Sequence, residues 1–193
     1  MNDRKRLHIL ETAMRLFNKY GFDATPTSKI AKKAKISVGT LFNYFHSKTE
    51  LIQSIYVAIK IHSGKTYLQE LEEHHSDEDN LYHMWHAVIQ WGIDYPEEFK
   101  YLEMFSASPY MKQFKNEKTL ETYLQFRESI LKHITFTHIE VKHQKYLFIY
   151  IDSALHAATR YLINHPDLDD KEAFIQESFQ LLWNGLEIKN ESK

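Results

Sequence analysis

The chain has 193 residues, a formal net charge of −2 and no cysteine. The absence of cysteine excludes a disulfide framework, a thiolate metal site and a cysteine nucleophile. Apolar residues make up 43% and charged residues 26% of the chain, as in ordinary folded proteins. With only five Gly and four Pro, turn residues are scarce, so we predict an all-α fold of about nine helices.

The charge is distributed unevenly along the chain. Residues 1–65 hold 12 Lys or Arg and four Asp or Glu, so this third carries +8 and the rest of the chain carries −10. A basic N-terminal third on an acidic body is typical of a DNA-binding head with a separate body. The same charges could also form an ordinary solvated face.

The first 25 residues predict one amphipathic helix and the cap of a second. Apolar residues recur at spacings of three and four from Leu7 to Phe17, and Gly21 is a plausible stop. Thr25 followed by Pro26 predicts an N-cap and the first residue of a short second helix.

A third short helix and the start of a long fourth helix follow. Ser37 is positioned to cap the third helix, and Ser47 to Glu50 form a capping-box pattern for the fourth. The remaining helices are predicted at about 47–73, 81–95, 96–106, 117–134, 144–163 and 171–185. The β-branched stretch 135–141 is interpreted as a loop, because helices flank it and no partner strand is evident.

The two short helices joined by Lys35, Ile36 and Ser37 have the layout of a helix-turn-helix. A helix that enters the major groove needs small or polar residues at its N-terminal half and an apolar back. Gly39 lacks a side chain at a cost of about 1 kcal/mol in a helix, which suits close backbone approach to DNA or to the packed second helix.

The stretch from Ile9 to Leu51 resembles the N-terminal domain of the tetracycline-repressor (TetR) family of bacterial transcription regulators. It covers about a quarter of the chain. The pieces that carry the resemblance are Ile9 to Ala13, Leu16, Phe17, Gly21, Thr25, Ile30, Ala31, Ala34, Ser37, Gly39 to Phe42, Tyr44, Phe45, Ser47, Lys48 and Leu51.

The resemblance implies a head at residues 3–63, with its motif at about 26–45, and a helical ligand-binding and dimerisation body at 64–193. It implies a homodimeric regulator in the bacterial cytoplasm, without cofactor, metal or membrane partner, that binds an inverted-repeat operator in double-stranded DNA. A small lipophilic or aromatic effector would release this repressor. The implied DNA-binding residues are Thr27, Ser28, Ser37, Val38, Gly39, Thr40, Asn43, Tyr44 and Lys48.

The chemistry of these residues supports the implied roles. Thr27 and Ser28 can bind phosphates, Asn43 can pair with adenine, and Val38 can pack on a thymine methyl. Ser37 has a second interpretation as a helix cap only.

Two positions depart from the family pattern. Lys35 stands where Gly is common, so a left-handed turn there would cost about 1–2 kcal/mol. Phe42 stands where Tyr is common, so no phosphate contact through a hydroxyl is expected there.

The resemblance implies that the last two long helices form a dimer's four-helix interface. The first of them is apolar on more than one face, as in a helix that is buried on several sides. The alternative is a monomer core. The interface candidates are Leu147, Ile151, Ala154, Ala158, Leu162, Phe174, Phe179, Leu182 and Trp183.

The middle helices are rich in aromatic residues, which suits either an effector pocket or an ordinary core. Asp152 lies among apolar neighbours with His156 one turn later, so it should be paired, exposed or functional. The pocket candidates are Trp85, Ile89, Tyr101, Glu103, Phe105, Tyr123, Phe126, Asp152 and His156.

Two further interpretations are open, and a third, an enzyme, is not expected. The protein could be an effector-independent DNA-organising or division-control factor whose body binds another protein. His83 and His86 could take part in a metal site, but no third ligand is fixed by the spacing. The chain has no nucleophile elbow, phosphate loop or zinc-protease motif, so we do not expect an enzyme.

Overall fold

The computed structural model describes residues 3–70, 76–112, 117–131 and 144–186. These ranges contain α-helices and one 3-10 turn, and no strand, which confirms the all-α prediction. The elements are α1 (Asp3–Tyr20), α2 (Thr27–Lys33), α3 (Val38–Tyr44), α4 (Lys48–Glu70), α5 (Asp77–Asp94), α6 (Pro96–Ser106), the 3-10 turn (Pro109–Lys112), α7 (Glu117–Leu131), α8 (Gln144–Asn164) and α9 (Lys171–Leu186). The predicted loop at 135–141 lies outside the described residues.

Most helix ends lie where their capping residues predict them. Gly21 follows α1 with a φ of +80°, the left-handed conformation that Gly adopts without strain. The Glu50 N–H donates to the Ser47 hydroxyl at 3.0 Å at the start of α4. Ser76 and Asp79 form a capping box at the start of α5.

The prediction for the start of α2 was wrong. Pro26 is the N-cap residue, and α2 begins at Thr27. The hydroxyl of Thr25, which is fully buried, donates instead to the carbonyl of Gly21 at 2.7 Å. Thr25 thus stabilises the turn that follows α1, and its hydroxyl also lies 3.4 Å from the Leu16 carbonyl in the last part of that helix.

The chain packs as two compact units, which we call the head unit (Met1–His62 with Pro96–Arg127) and the body unit (Ser63–Tyr95 with Glu128–Lys193). The predicted boundary after residue 63 follows the chain, whereas the packing returns α6 to α1. The Asn18 amide donates to the backbone carbonyl of Glu97 at 2.7 Å and to its carboxylate at 2.9 Å. These bonds hold the start of α6 on α1.

The core of the head unit is built from the apolar faces of α1, α2 and α3. Ile9, Phe17, Ile30, Leu41 and Phe45 are all at most 1% exposed. Each such side chain contributes about 1.5–3 kcal/mol when it is buried. This core fixes α3 from behind and leaves its other side available.

The core of the body unit joins α5, α8 and α9. The Trp85 indole N–H donates to the Ser178 hydroxyl at 3.2 Å, so the buried ring keeps a polar partner. The core consists of Leu81, Trp85, Ile89, Leu147, Ile151, Leu155, Ala158, Leu162, Ile175, Phe179, Leu182 and Leu186. Within the described ranges, no helix has both the length and the apolar content that a membrane span needs.

Candidate nucleic-acid interface

The turn between α2 and α3 is a Schellman motif with a lysine at its left-handed position. The Ile36 N–H donates to the Ala31 carbonyl at 3.0 Å, and the Lys35 N–H donates to the Lys32 carbonyl at 3.2 Å. Lys35 has a φ of +56°. The turn therefore keeps the geometry that normally selects Gly, at the cost of the steric strain that a Cβ introduces.

Ser37 and Thr40 together close the first turn of α3. The Thr40 N–H donates to the Ser37 hydroxyl oxygen at 3.0 Å, and the two hydroxyl oxygens lie 2.8 Å apart. Ser37 is thus the N-cap of α3, as its second interpretation held. The bond to Ser37 orients the Thr40 hydroxyl at the N-terminal end of the helix.

The two sides of α3 differ sharply in burial. Leu41 is 1% exposed, and it packs into the head core. On the other side Asn43 is exposed, and Val38 and Phe42 are 40% and 38% exposed. Two apolar side chains and an amide therefore lie on the accessible surface of one short helix.

Gly39 lies on the exposed side of α3 without a packing reason for its missing side chain. A Cβ built there would meet only the Ser37 hydroxyl oxygen, at 3.8 Å, which is an ordinary van der Waals distance. Close packing against α2 is therefore excluded as the explanation for this glycine. Close approach of an external molecule fits the open space.

Lys48 and Tyr44 flank the end of α3, and both are partly buried. The Lys48 ammonium donates to the Asp23 carbonyl at 3.4 Å, which joins the start of α4 to the turn between α1 and α2. The Tyr44 ring centroid is 6.5 Å from that of Phe45. Lys48 is thus held by the turn between α1 and α2, and the Tyr44 ring lies beside the buried Phe45.

The first turn of α2 carries Thr27, which is partly buried, and Ser28, which is exposed. No side chain caps this turn. Nearby, the Lys29 ammonium lies 3.3 Å from the ring centroid of Tyr20. Lys19 and Lys29 lower the pKa of the Tyr20 phenol by their positive charge. The sequence did not single out this basic cluster, because its members belong to two helices.

Comparison with known proteins gives this head its family. The family model described as "Bacterial regulatory proteins, tetR family" matches residues 9–55. A crystal structure of a protein assigned to the tetR family from Shewanella sp. PV-4 superposes with a TM-score of 0.81 at 25% identity, over 94% of this chain and 97% of that chain. Residues 9–55 thus match the N-terminal domain of the TetR family, and the chain shares the fold of a TetR-family structure.

The curated relatives match over part of this chain. YhgD of Bacillus subtilis (strain 168), an uncharacterized HTH-type transcriptional regulator, is 39% identical over 57 residues, which are 30% of this chain and 29% of YhgD. YvkB of the same organism is 30% identical over 116 residues, which cover 49% of this chain and 61% of YvkB. The chain thus spans less than two thirds of these relatives.

The predicted pocket residues are distributed over both units. Tyr101, Glu103, Phe105 and Tyr123 belong to the head unit, and the other four described residues belong to the body unit. The side chain of Phe126 lies outside the described residues. A shallow groove is lined by other residues, all on α9: Ala173, Gln176, Glu177, Gln180, Leu181 and Asn184.

Four of the pocket candidates are core side chains. Trp85, Ile89, Tyr101 and Phe105 are at most 1% exposed. The Tyr101 hydroxyl donates to the Ile52 carbonyl at 2.9 Å, and burial raises the pKa of this phenol well above its usual value. In the structure these four side chains fill the interiors of the two units.

Asp152 is exposed on α8, although its sequence neighbours are apolar. Its side chain is 61% exposed, and its carboxylate oxygen lies 4.0 Å from Nε2 of His156. The helix turns this carboxylate outward, so its charge does not require a buried partner. Exposure and a neighbouring His156 are both among the outcomes that the sequence predicts for this carboxylate.

Most residues predicted for the dimer interface are packed inside the body unit. Leu147, Ile151, Ala158, Leu162, Phe179 and Leu182 are core residues of the body unit, at most 6% exposed. The other three, Ala154, Phe174 and Trp183, are partly buried against that core. A side chain that is already buried within its own chain has little area to offer a partner.

A different set of apolar side chains is exposed on the same two helices. On α8, Tyr146 and Ile149 are 64% and 62% exposed, and Tyr150 and Tyr161 are 41% and 42% exposed. On α9, Leu181 is 77% exposed. We call these five residues the exposed apolar stripe. Their number on two neighbouring helices is unusual for a surface that meets only water.

Proposed function

We propose that this protein is a sequence-specific DNA-binding transcriptional regulator of the TetR family whose α3 enters the major groove. The exposed side of α3 carries this proposal. It presents Asn43, Val38 and a glycine that packing does not require, and a buried core holds it from behind. A helix of this size and surface fits the width of the groove.

Base contacts come from the exposed side of α3. The Asn43 amide can donate one hydrogen bond to adenine and accept another from it. The Val38 side chain can pack on a thymine methyl. Thr40 offers a methyl group and a hydroxyl that Ser37 has already oriented. At Gly39 the helix backbone can approach the edge of a base pair or a sugar.

Phosphate contacts come from the elements on either side of α3. Thr27 and Ser28 offer hydroxyls, and the first turn of α2 carries no side-chain cap. Lys48 offers an ammonium and Tyr44 a hydroxyl near the other end of α3. These contacts fix the register of the head on DNA and carry no sequence information of their own.

We propose a homodimer formed through the exposed apolar stripe on α8 and α9. A second copy would cover Ile149 and Leu181, which no neighbour among the described residues covers. Two heads related by a two-fold axis would bind an inverted repeat with half-sites about 34–36 Å apart.

Repression that a small lipophilic or aromatic molecule relieves is the regulatory mode we propose. Relatives named as repressors, such as KstR of Rhodococcus jostii (strain RHA1), support the direction of control. An effector can act only through different affinities for the DNA-bound and the free conformations. The described residues give that effector no assigned site.

Selection of bound duplexes from a random pool tests the DNA-binding proposal. We expect an inverted repeat whose affinity falls steeply with salt. Asn43→Ala should relax the preference at one base pair per half-site, whereas Lys48→Gln should weaken binding to all sequences and lower the salt slope by about one. Recovery of unrelated sequences would contradict the proposal, as would equal losses on every duplex for both variants.

A further inference from the structure

Asp23, in the turn between α1 and α2, accepts hydrogen bonds from two residues that are far from it in sequence. Its carboxylate Oδ1 accepts from the Tyr110 hydroxyl at 3.1 Å. Its backbone carbonyl accepts from the Lys48 ammonium at 3.4 Å. One residue therefore connects the 3-10 turn after α6 with the first residue of α4.

Tyr110 is itself fixed by its neighbours in the head unit. Its ring packs edge-on against Phe22, with centroids 5.3 Å apart. Its carbonyl accepts from the side-chain amide of Gln53, which is fully buried. Partial burial and the Asp23 carboxylate raise the pKa of the Tyr110 phenol, so its hydroxyl stays protonated as a donor.

The bond from Tyr110 decides what the Asp23 carboxylate can do. Lys48 and Asp23 are already in contact through the backbone carbonyl of Asp23, so the carboxylate is within a side-chain rotation of the ammonium. While Tyr110 donates to that carboxylate, the acid is held by the 3-10 turn. Without this bond, the carboxylate could pair with Lys48 and compete with a DNA phosphate for the same positive charge.

We propose that Tyr110 is a positioning residue for DNA binding, which holds the Asp23 carboxylate away from Lys48 and keeps the ammonium available for a phosphate. This inference rests on the proposed function, since it takes Lys48 as a phosphate contact. Base preference is set on α3, so it should not depend on Tyr110. The 3-10 turn becomes a point where movement of α6 or α7 would change DNA affinity without altering sequence preference.

A double-mutant cycle on the selected duplex tests the role of Tyr110. Tyr110→Phe removes only the hydroxyl and keeps the ring on Phe22. We expect it to weaken binding about threefold to tenfold in the wild-type background, the usual range for one lost hydrogen bond. In the Lys48→Gln background the same change should have less than about a twofold effect, because no ammonium is left to position.

Two further readouts separate positioning from simple loss of stability. Tyr110→Phe should lower the salt slope and leave the selected sequence unchanged, while Tyr82→Phe, which removes a hydroxyl that donates to the Glu172 carboxylate in the body unit, should affect neither. Equal weakening in both Lys48 backgrounds, or no weakening at all, would overturn the inference while the DNA-binding proposal stands. An unchanged salt slope in Lys48→Gln alone would instead remove Lys48 from the phosphate contacts, and the inference with it.

Discussion

The Ser37 hydroxyl accepts a hydrogen bond from the Thr40 N–H and lies 2.8 Å from the Thr40 hydroxyl, so one residue both starts α3 and orients its side chain at the third position. The two interpretations of Ser37 thus do not compete. As a cap it stabilises α3 by about 1 kcal/mol. As the partner of Thr40 it reduces the freedom that Thr40 would lose on contacting DNA.

Gly39→Ala should change stability and DNA affinity in opposite directions. Alanine is favoured over glycine in a helix, and the structure has room for its Cβ, so we expect a gain of about 0.5–1 kcal/mol in the free energy of unfolding. DNA affinity should fall at least about tenfold, because the methyl group meets the groove.

Urea denaturation and titration of a labelled operator duplex measure the two effects of Gly39→Ala. Gly185→Ala near the end of α9 is the matched control for the stability effect alone, since a Cβ there lies at an ordinary 3.5 Å from the Tyr150 hydroxyl. Unaltered affinity in Gly39→Ala would show that α3 does not approach DNA at this position.

Lys35→Gly should stabilise the head unit. Lys35 has a φ of +56°, and relief of the strained Cβ outweighs the extra entropy that glycine has in the unfolded chain. We expect a net gain of about 0.5–1 kcal/mol. Lys33→Gly removes the same charge from the last residue of α2, where the conformation is helical, so it should cost up to about 1 kcal/mol. Thermal unfolding compares the two variants directly. A loss of stability in both would contradict the conclusion that Lys35 is strained.

Helix positions were predictable from sequence because capping and breaking residues act locally. Gly21, Ser37, Ser47 and the pair Tyr95–Pro96 all mark boundaries that the structure has. The motif in the head is also local, since it occupies one continuous stretch. Thr25 was misassigned because a hydroxyl that precedes a helix can bond forward to that helix or backward to the previous one.

The sequence does not indicate which side of α8 packs against the body core. The helix is apolar on two sides, so periodicity identifies a helix without saying which side meets its own core. Ile151 faces the body core, while Ile149 is exposed. Likewise, no local signal pairs Tyr110 with Asp23, which is 87 residues away. Such contacts depend on tertiary packing.

The buried phenol of Tyr101 should make the protein less stable at alkaline pH. Burial raises the pKa of its phenol above the value of about 10 that it has in the unfolded chain. The folded state therefore keeps a proton that the unfolded state releases, so this contribution is complete below pH about 10 and is lost as the pH rises above it.

Urea denaturation between about pH 9 and about pH 11 measures the alkaline effect. Tyr101→Phe should be less stable at neutral pH, by about 1 kcal/mol, because the Ile52 carbonyl loses its donor. Its stability should also decline less steeply with pH than that of the wild type. Tyr95→Phe serves as the exposed control, since Tyr95 is 45% exposed and is not part of the exposed apolar stripe. An equal slope in all three proteins would contradict the role of Tyr101.

Leu181→Arg should give a folded monomer. Leu181 is 77% exposed, so a single chain loses almost no burial when it is replaced, and the free energy of unfolding of the monomer should change by less than about 0.5 kcal/mol. A charge at the centre of an apolar interface would cost several kcal/mol in the dimer, since it would be desolvated without a partner. Sedimentation velocity should therefore show a dimer for the wild type and a monomer for the variant. Leu7→Arg is the matched control, because Leu7 is also exposed, at 54%, but belongs to α1 in the head unit and is not part of the exposed apolar stripe. It should remain dimeric.

The monomeric variant should still bind a single half-site weakly and lose its preference for the inverted repeat, because the second head no longer binds as part of the same molecule. A dimer that persists in Leu181→Arg would place the contact between copies elsewhere on the molecule.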